Sequence, residues 1–444
     1  MNIMSGAISL EKYDDIIDRL SLVKVSGRVV KLVGLLIRAS VPGVRVGEIC
    51  LVRSSVSSSH MVEPLKAEVV GFDGGEAILM PLGEIGDVEM GAEVVATRSA
   101  MRVAVGPLLL GRVLNGLGEP IDSKGPVDSS LTYPVQAQPP SPLARQRVTR
   151  ILATGVRAID GLLTVGEGQR IGIYAAAGVG KSTLLGMLAR NTESDLNVIA
   201  LVGERGREVR DFIEQELDEA GRRRSVIVVA TSNEPSLIRL KAAHVATTIA
   251  GYFRDQGKRV LFIMDSITRF ARAIREVGLA AGEPPARAGF PPSVFSELPR
   301  ILERTGNSDR GSITAFYSVL VEGDDLAEPI ADETRALLDG HFVLSRSLAA
   351  GNHYPAIDIA QSVSRVMTSI ATTEHIEASR NVRDIMAVYE SQRDFITIGA
   401  YKKGSDRRTD YAISKIDTIN RFLKQSIRET SSFQGTIAQL RSLF

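Results

Sequence analysis

The small-residue run Ala175-Ala-Ala-Gly-Val-Gly-Lys-Ser182 offers the chemistry needed to hold a polyphosphate. It follows the apolar stretch Arg170-Ile-Gly-Ile-Tyr and opens the helical stretch Leu184-Leu-Gly-Met-Leu-Ala-Arg. A strand, a loop with free backbone N–H groups and a helix N-terminus together form an anion cradle. The spacing predicts a nucleotide held by Ala176, Ala177, Gly178, Val179, Gly180 and Thr183, with Lys181 reaching the β- and γ-phosphates and the Ser182 hydroxyl ligating Mg²⁺. One position departs from the usual pattern, because Ala175 stands where the first glycine is expected.

Two further segments supply carboxylates. Val198-Ile-Ala-Leu-Val runs into Gly203-Glu204-Arg205, which places Glu204 at the C-terminal end of a strand, where α/β ligands bind, as a candidate to position and polarise a water. On local sequence alone a surface glutamate paired with Arg205 or Arg207 fits equally well. Val260-Leu-Phe-Ile-Met ends in Asp265, which matches the acid that completes a Mg²⁺ shell downstream of a phosphate loop.

These residues need a sheet to position them. Arg170-Ile-Gly-Ile-Tyr, Leu196-Asn-Val-Ile-Ala-Leu-Val, Ser225-Val-Ile-Val-Val-Ala and Arg259-Val-Leu-Phe-Ile-Met are near-continuous apolar runs separated by helical stretches. That alternation predicts a multidomain α/β chain whose central domain, 150–365, is a parallel sheet covered by helices. Ahead of it, 25–95 shows short β-branched runs punctuated by glycine and reads as a β-barrel. The proline-rich stretch inside 96–149 reads as a connector, and 366–444 as a C-terminal helical domain, with Ile413, Ile416, Ile419, Leu423 and Ile427 at helical spacing. Residues 8–23 have the pattern of a short amphipathic helix, so 1–24 reads as a segment for oligomer or regulator contacts.

Composition narrows the function classes. Charged residues make up 24% of the chain and cancel to +1, so no sequence-wide field points to nucleic acid, and Arg222-Arg-Arg224 reads as a solvated turn. The single cysteine, Cys50, excludes an internal disulfide and suits a reducing cytoplasm. No metal site other than nucleotide-bound Mg²⁺ is evident. No apolar run approaches the ~20 residues of a membrane span, and the N-terminus lacks the features of a signal peptide.

Thr154-Gly-Val-Arg-Ala-Ile-Asp160, the phosphate loop, Gly203-Glu-Arg and the Asp265 strand stand in the order found in rotary ATPases. Val294-Phe-Ser-Glu-Leu-Pro-Arg300, Ile313-Thr-Ala-Phe-Tyr317, Glu322-Gly-Asp-Asp325, Pro329-Ile-Ala-Asp332 and Leu338-Asp-Gly-His341 resemble, more narrowly, the bacterial type III protein-export ATPases of flagella and injectisomes. Arg45-Val-Gly-Glu-Ile-Cys-Leu-Val and Arg421-Phe-Leu-Lys-Gln lean toward the injectisome branch. The resemblance implies a barrel, a RecA-like P-loop ATPase domain and a helical C-terminal domain. It implies Glu204 as the catalytic carboxylate, Arg205 near the γ-phosphate, Tyr354 stacked on adenine, and Arg365 as a finger reaching a neighbouring subunit's site. It further implies a homohexamer of Mg-ATPases that release and unfold export substrates. The implied partners are a central coiled-coil stalk gripped by the loop 278–292, a regulator or stator on the N-terminal segment, and chaperone–substrate complexes. The place implied is the cytoplasmic side, peripheral to a membrane export gate. Two other readings remain open at this point: a catalytic subunit of a proton- or sodium-translocating rotary synthase, and a Rho-like RNA translocase.

Overall fold

The computed structural model describes residues 24–53, 63–322 and 326–444; the expected helix at 8–23 and Gly323-Asp-Asp325 lie outside them. The chain divides into two units, Met1–Met101 and Arg102–Phe444.

In the first unit six strands, β1 (Ser26–Val33), β2 (Leu36–Ser40), β3 (Glu48–Arg53), β4 (Leu65–Asp73), β5 (Glu76–Pro81) and β6 (Glu93–Ala100), close into a barrel in the order β1-β2-β5-β4-β3-β6. Alternating residues fill the interior, among them Val29, Ile37, Cys50, Val52, Val69, Leu79 and Val94. Gly74 and Gly75 both take positive φ, the conformation that a two-residue hairpin between β4 and β5 demands. Gly27 is required for another reason: a Cβ there would fall 1.9 Å from the Ser40 carbonyl oxygen. Burial pushes the Cys50 thiol up to about 11, which makes it a packing group rather than a nucleophile.

The second unit is built on a sheet in the order β17-β16-β10-β15-β13-β11-β12-β8. Its strands are β8 (Val113–Asn115), β10 (Arg170–Ala175), β11 (Leu196–Glu204), β12 (Ser225–Thr231), β13 (Arg259–Asp265), β15 (Ser312–Leu320), β16 (Gly340–Leu344) and β17 (Ile357–Ser364). From β8 to β16 every neighbouring pair is parallel; β17 turns back antiparallel on β16, as does the short β14 (Gly306–Asn307) on β15. All nine residues of β11 are buried, the signature of a strand covered on both faces. Ile199 and Leu201 pack with Leu184 and Leu188 of the helix Lys181–Asn191. With a period of two, Val198, Ala200 and Val202 face the opposite layer, where the helix Ser236–Asp255 lies against β11 and β12.

The stretch 96–149 is more than the connector expected. Val113–Asn115 pairs with Ile227–Val229 and forms the sheet's edge, and β7 (Arg102–Ala104) pairs with β9 (Thr132–Pro134). Strands of three residues are too short to show periodicity, and the prolines around them give the stronger local signal. The C-terminal helices Thr373–Thr397, Arg407–Leu423 and Phe433–Arg441 have no core of their own. Val382, Ile419, Phe422 and Leu440 belong to the same cluster as Leu152, Ile159 and Leu184. The helical spacing extended to Ile427, but the helix ends at Leu423 and Ile427 is exposed. Of the three adjacent arginines, Arg222 and Arg223 are exposed, whereas Arg224 donates to the carbonyls of Ala189 (2.7 Å) and Arg190 (2.8 Å). It caps the C-terminus of the phosphate-loop helix, where orphan carbonyls favour a cation. Among the described residues no helix is long and apolar enough to cross a membrane.

Candidate functional site

Strand β10 delivers the chain into the phosphate loop. Ala175 is fully buried and still paired, with Leu320 on one side and Leu344 on the other. It is therefore the last residue of the strand, and alanine suits it because no left-handed backbone is needed there. Gly178 (φ 81) and Gly180 (φ 88) do take that conformation. A Cβ on Gly180 would also lie 3.2 Å from Cε1 of Tyr354, so glycine lets the tyrosine ring approach the loop. Gly180 caps the helix Lys181–Asn191, whose first N–H groups point out of the sheet's C-terminal edge. Ala176 and Val179 are buried supports, while Ala177, Gly178 and Ser182 are exposed. The Thr183 hydroxyl donates to Glu216 at 3.2 Å.

Lys181 and Asp265, 84 residues apart in sequence, meet here: Nζ donates to Asp265 Oδ1, which also accepts from the Ser318 hydroxyl at 2.6 Å. Asp265 is 3% exposed and ends β13, two strands from β10 in the sheet. Glu204 arrives by a bulge. The β11–β12 register slips between Val202 and Glu204, and Gly203 takes φ 72. A bulge re-aims the following side chain, and such kinks recur beside active sites. Glu204 is 7% exposed, and its Oε1 is buried without a hydrogen-bond partner. Burial, and next the charge of Asp265, raise its carboxyl to about 7, against the opposing pull of Lys181 and Arg269. The surface-glutamate reading is thereby excluded. A carboxylate that titrates near neutrality, with an unpartnered oxygen, is suited to accept a hydrogen bond from water.

Arg269 joins this group, and no local sequence signal marks it for the site. Its stem lies against Gly203, where a Cβ would sit 3.0 Å from Arg269 Cβ, and its Nε is buried without a partner. Arg205 is not brought in: its side chain is 73% exposed and pairs with Glu208 at 3.4 Å.

Beside the loop opens a cleft of about 750 Å³, lined by Gly178, Gly180, Thr183, Leu184, Met187, Asn352, Tyr354, Pro355 and the segment Lys424–Arg428. Tyr354 is 38% exposed and presents its ring there. Sequence reasoning missed the segment 424–428, for which the only local signal is the break after Leu423.

Arg365 lies elsewhere. Its backbone N–H donates to Asp339 O, and that of Asp339 to Arg170 O, so it sits level with the start of β10, whereas the phosphate loop leaves the end of that strand. Five residue steps of strand separate the two levels, about 16 Å. The guanidinium is exposed and donates to the Arg335 carbonyl at 3.1 Å. Within one chain, then, Lys181, Glu204, Asp265 and Tyr354 gather at one end of the sheet and Arg365 stands at the other.

Residues 24–98 match the ATP synthase alpha/beta family β-barrel domain, 155–364 the nucleotide-binding domain of the same family, and 371–442 the type III secretion EscN ATPase C-terminal domain. The chain is 49% identical to the flagellum-specific ATP synthase of Bacillus subtilis over 429 residues, 97% of each chain. It is 51% identical to the type 3 secretion system ATPase of Xanthomonas euvesicatoria over 417 residues, 94% of this chain and 93% of the relative. Among solved structures, the assembled ATPase EscN of the enteropathogenic E. coli type III secretion system superposes with a TM-score of 0.89 at 45% identity, covering 94% of this chain and 99% of that one. EscN in complex with its central stalk EscO gives 0.86 at the same identity and coverage. The match over 371–442 sets aside the synthase-subunit and RNA-translocase readings. Barrel, nucleotide-binding sheet, C-terminal helices and phosphate site thus agree with the kinship: the chain belongs to the ATP synthase alpha/beta family, among its type III secretion and flagellum-specific ATPases.

Proposed function

We propose that this chain hydrolyses Mg-ATP at boundaries between identical copies in a ring, and that the work serves protein export. The observation that carries this reading is the strand's length between Arg365 and the group formed by Lys181, Glu204 and Asp265.

Lys181 exchanges Asp265 for the β- and γ-phosphate oxygens, and the freed Asp265 would hold the metal together with the Ser182 hydroxyl. Two oxygen ligands are too few for a resident cage, which fits Mg²⁺ carried in on phosphate. Once bound, it would neutralise charge on the β- and γ-oxygens. The residues of the loop, from Ala176 to Thr183, align the triphosphate, and the Tyr354 ring lies against adenine. Glu204 orients a water toward the γ-phosphorus, and that water adds as the bond to the β–γ bridging oxygen breaks. A copy placed head to tail would bring its own Arg365 to the γ-phosphate, where charge develops. Arg205 becomes relevant only if its pair with Glu208 opens toward the phosphates.

The wider role follows the relatives. A ring of six would grip a central coiled-coil stalk with the loop 278–292, whose Phe290 lies under Arg275 of the preceding helix at 5.0 Å and whose Arg287 pairs with Asp332 at 3.1 Å. The N-terminal segment would bind a regulator or stator. The ring would lie on the cytoplasmic side of the export gate and release exported proteins from their chaperones, unfolding them.

Mixing two inactive variants, Lys181→Ala and Arg365→Ala, tests the shared site. A boundary between an Arg365→Ala copy, whose phosphate loop is intact, and a Lys181→Ala copy, whose finger is intact, is complete. ATPase activity should therefore reappear on mixing. Mixtures that assemble yet stay inactive would sink the trans assignment.

A further inference from the structure

The motif Thr154-Gly-Val-Arg-Ala-Ile-Asp160 has no part in the chemistry above, yet it is heavily bonded. Asp160 is fully buried and accepts from the Thr154 N–H (2.9 Å), the Thr154 hydroxyl (2.7 Å) and the Gly155 N–H (3.0 Å), which pins a tight turn. From that turn Arg157, itself 9% exposed, reaches the end of the C-terminal helix Arg407–Leu423. Its Nε donates to Phe422 O at 2.9 Å, and its two terminal nitrogens donate to Lys424 O and to the Glu429 carboxylate. The backbone N–H of Arg157 donates to Gln425 Oε1 at 2.9 Å.

Gln425, 4% exposed, completes the knot. Its Nε2 donates to Gly155 O and Glu429 O, both at 2.8 Å, and its backbone N–H donates to Tyr354 O at 2.9 Å. The far side of the segment is tied as well, by Arg190 to Ile427 O (2.7 Å) and Arg428 to Gln215 O (2.6 Å). Lys424–Arg428 is both the direct continuation of the C-terminal helix and the outer wall of the cleft beside Tyr354. The phosphate loop, by contrast, is held by β10 and by the two left-handed glycines.

We propose that Arg157, Gln425 and Glu429 are positioning residues that tie the C-terminal helices to the nucleoside end of the cleft, so that the placement of those helices sets affinity for the base and ribose and leaves the hold on the phosphates unchanged. The inference rests on the reading of the Tyr354 cleft as the base site.

The test compares ATP with inorganic tripolyphosphate, which has no base or ribose, on the full-length protein. Arg157→Lys keeps one charge and loses the fork; Gln425→Ala removes three side-chain hydrogen bonds; Glu429→Gln, at the half-exposed edge, is the mild variant. The first two should raise KM for ATP about 10-fold and Glu429→Gln about 3-fold, since only part of the worth of the lost hydrogen bonds is felt at the cleft. The Ki of tripolyphosphate as a competitive inhibitor should stay constant, and kcat should change far less than KM. An unchanged KM overturns the proposal, as does a KM that rises in step with the tripolyphosphate Ki, since that is general damage to the site. Tyr354→Ala in the same series separates the two readings. If it leaves KM unchanged the base assignment fails; if it raises KM while the knot variants do not, only the positioning role fails.

Discussion

At the C-terminal ends of β10, β11 and β13, Lys181 is bonded to a 3%-exposed Asp265, and Glu204 is 7% exposed with its carboxyl raised to about 7. At the other end of the same sheet Arg365 is exposed and rests on a backbone carbonyl. The first region is a low-dielectric, preorganised half-site, where charges act strongly on one another because water is excluded. The second keeps its cation hydrated. Burying a lone guanidinium costs several kcal/mol unless a charged partner awaits it. In the proposed ring the fold defers that cost until a neighbouring copy covers the arginine.

If this contrast is functional, its largest expression is Arg365→Ala. Turnover should fall by about 10³- to 10⁵-fold while binding of ATP, measured by calorimetry, is retained. Loss of binding together with turnover would mean that Arg365 belongs to the local fold and not to a neighbour's site.

Glu204→Gln, at the buried end, should lower turnover by about 10²- to 10⁴-fold without weakening nucleotide binding. Steady ATPase activity in that variant would break the assignment. In the native protein kcat/KM should rise with pH and level off above about 7, as Glu204 becomes the carboxylate.

Stability sharpens the same point. The folded-state carboxyl of Glu204 lies at about 7, above its ordinary value of 4.5, so the native state binds the extra proton between those values. Stability therefore falls as pH rises through that window and levels off above about 7. Glu204→Gln, which carries no charge, should have a higher Tm than the native protein at pH 8, and the gap should shrink by pH 5. A gap independent of pH would mean that the native carboxyl is not raised. The smallest effect belongs to Tyr354→Ala: KM for ATP about 3- to 10-fold higher, the worth of one aromatic contact, with kcat nearly constant.

What could be read in sequence follows contiguity. The phosphate loop was legible because strand, glycines and helix are adjacent, and β13 ending in Asp265 because five apolar residues precede one acid. Glycine-punctuated alternation revealed the barrel. Arg365 has no local pattern that marks it as functional, and only the family resemblance singled it out. Three things were beyond local reading. The edge strand Val113–Asn115 is set by its partner β12; the Gly203 bulge looks like any glycine until its φ is known; and the wall Lys424–Arg428 is brought to Tyr354 by Arg157, over 260 residues away. Each depends on long-range packing that no window of sequence contains.

The polarity of the parallel sheet carries an arithmetic consequence. With the socket at one end of the strands and the plug at the other, the head-to-tail placement proposed above sets one member's plug in the next member's socket. In that placement copies stack in one direction. An open row of n chains then holds n − 1 complete sites, with an idle socket at one end and an idle plug at the other, and only closure of the row supplies the last one. Output per chain should thus climb with each added copy and become uniform once the circle is shut, which makes ring closure itself a step that a partner protein could control.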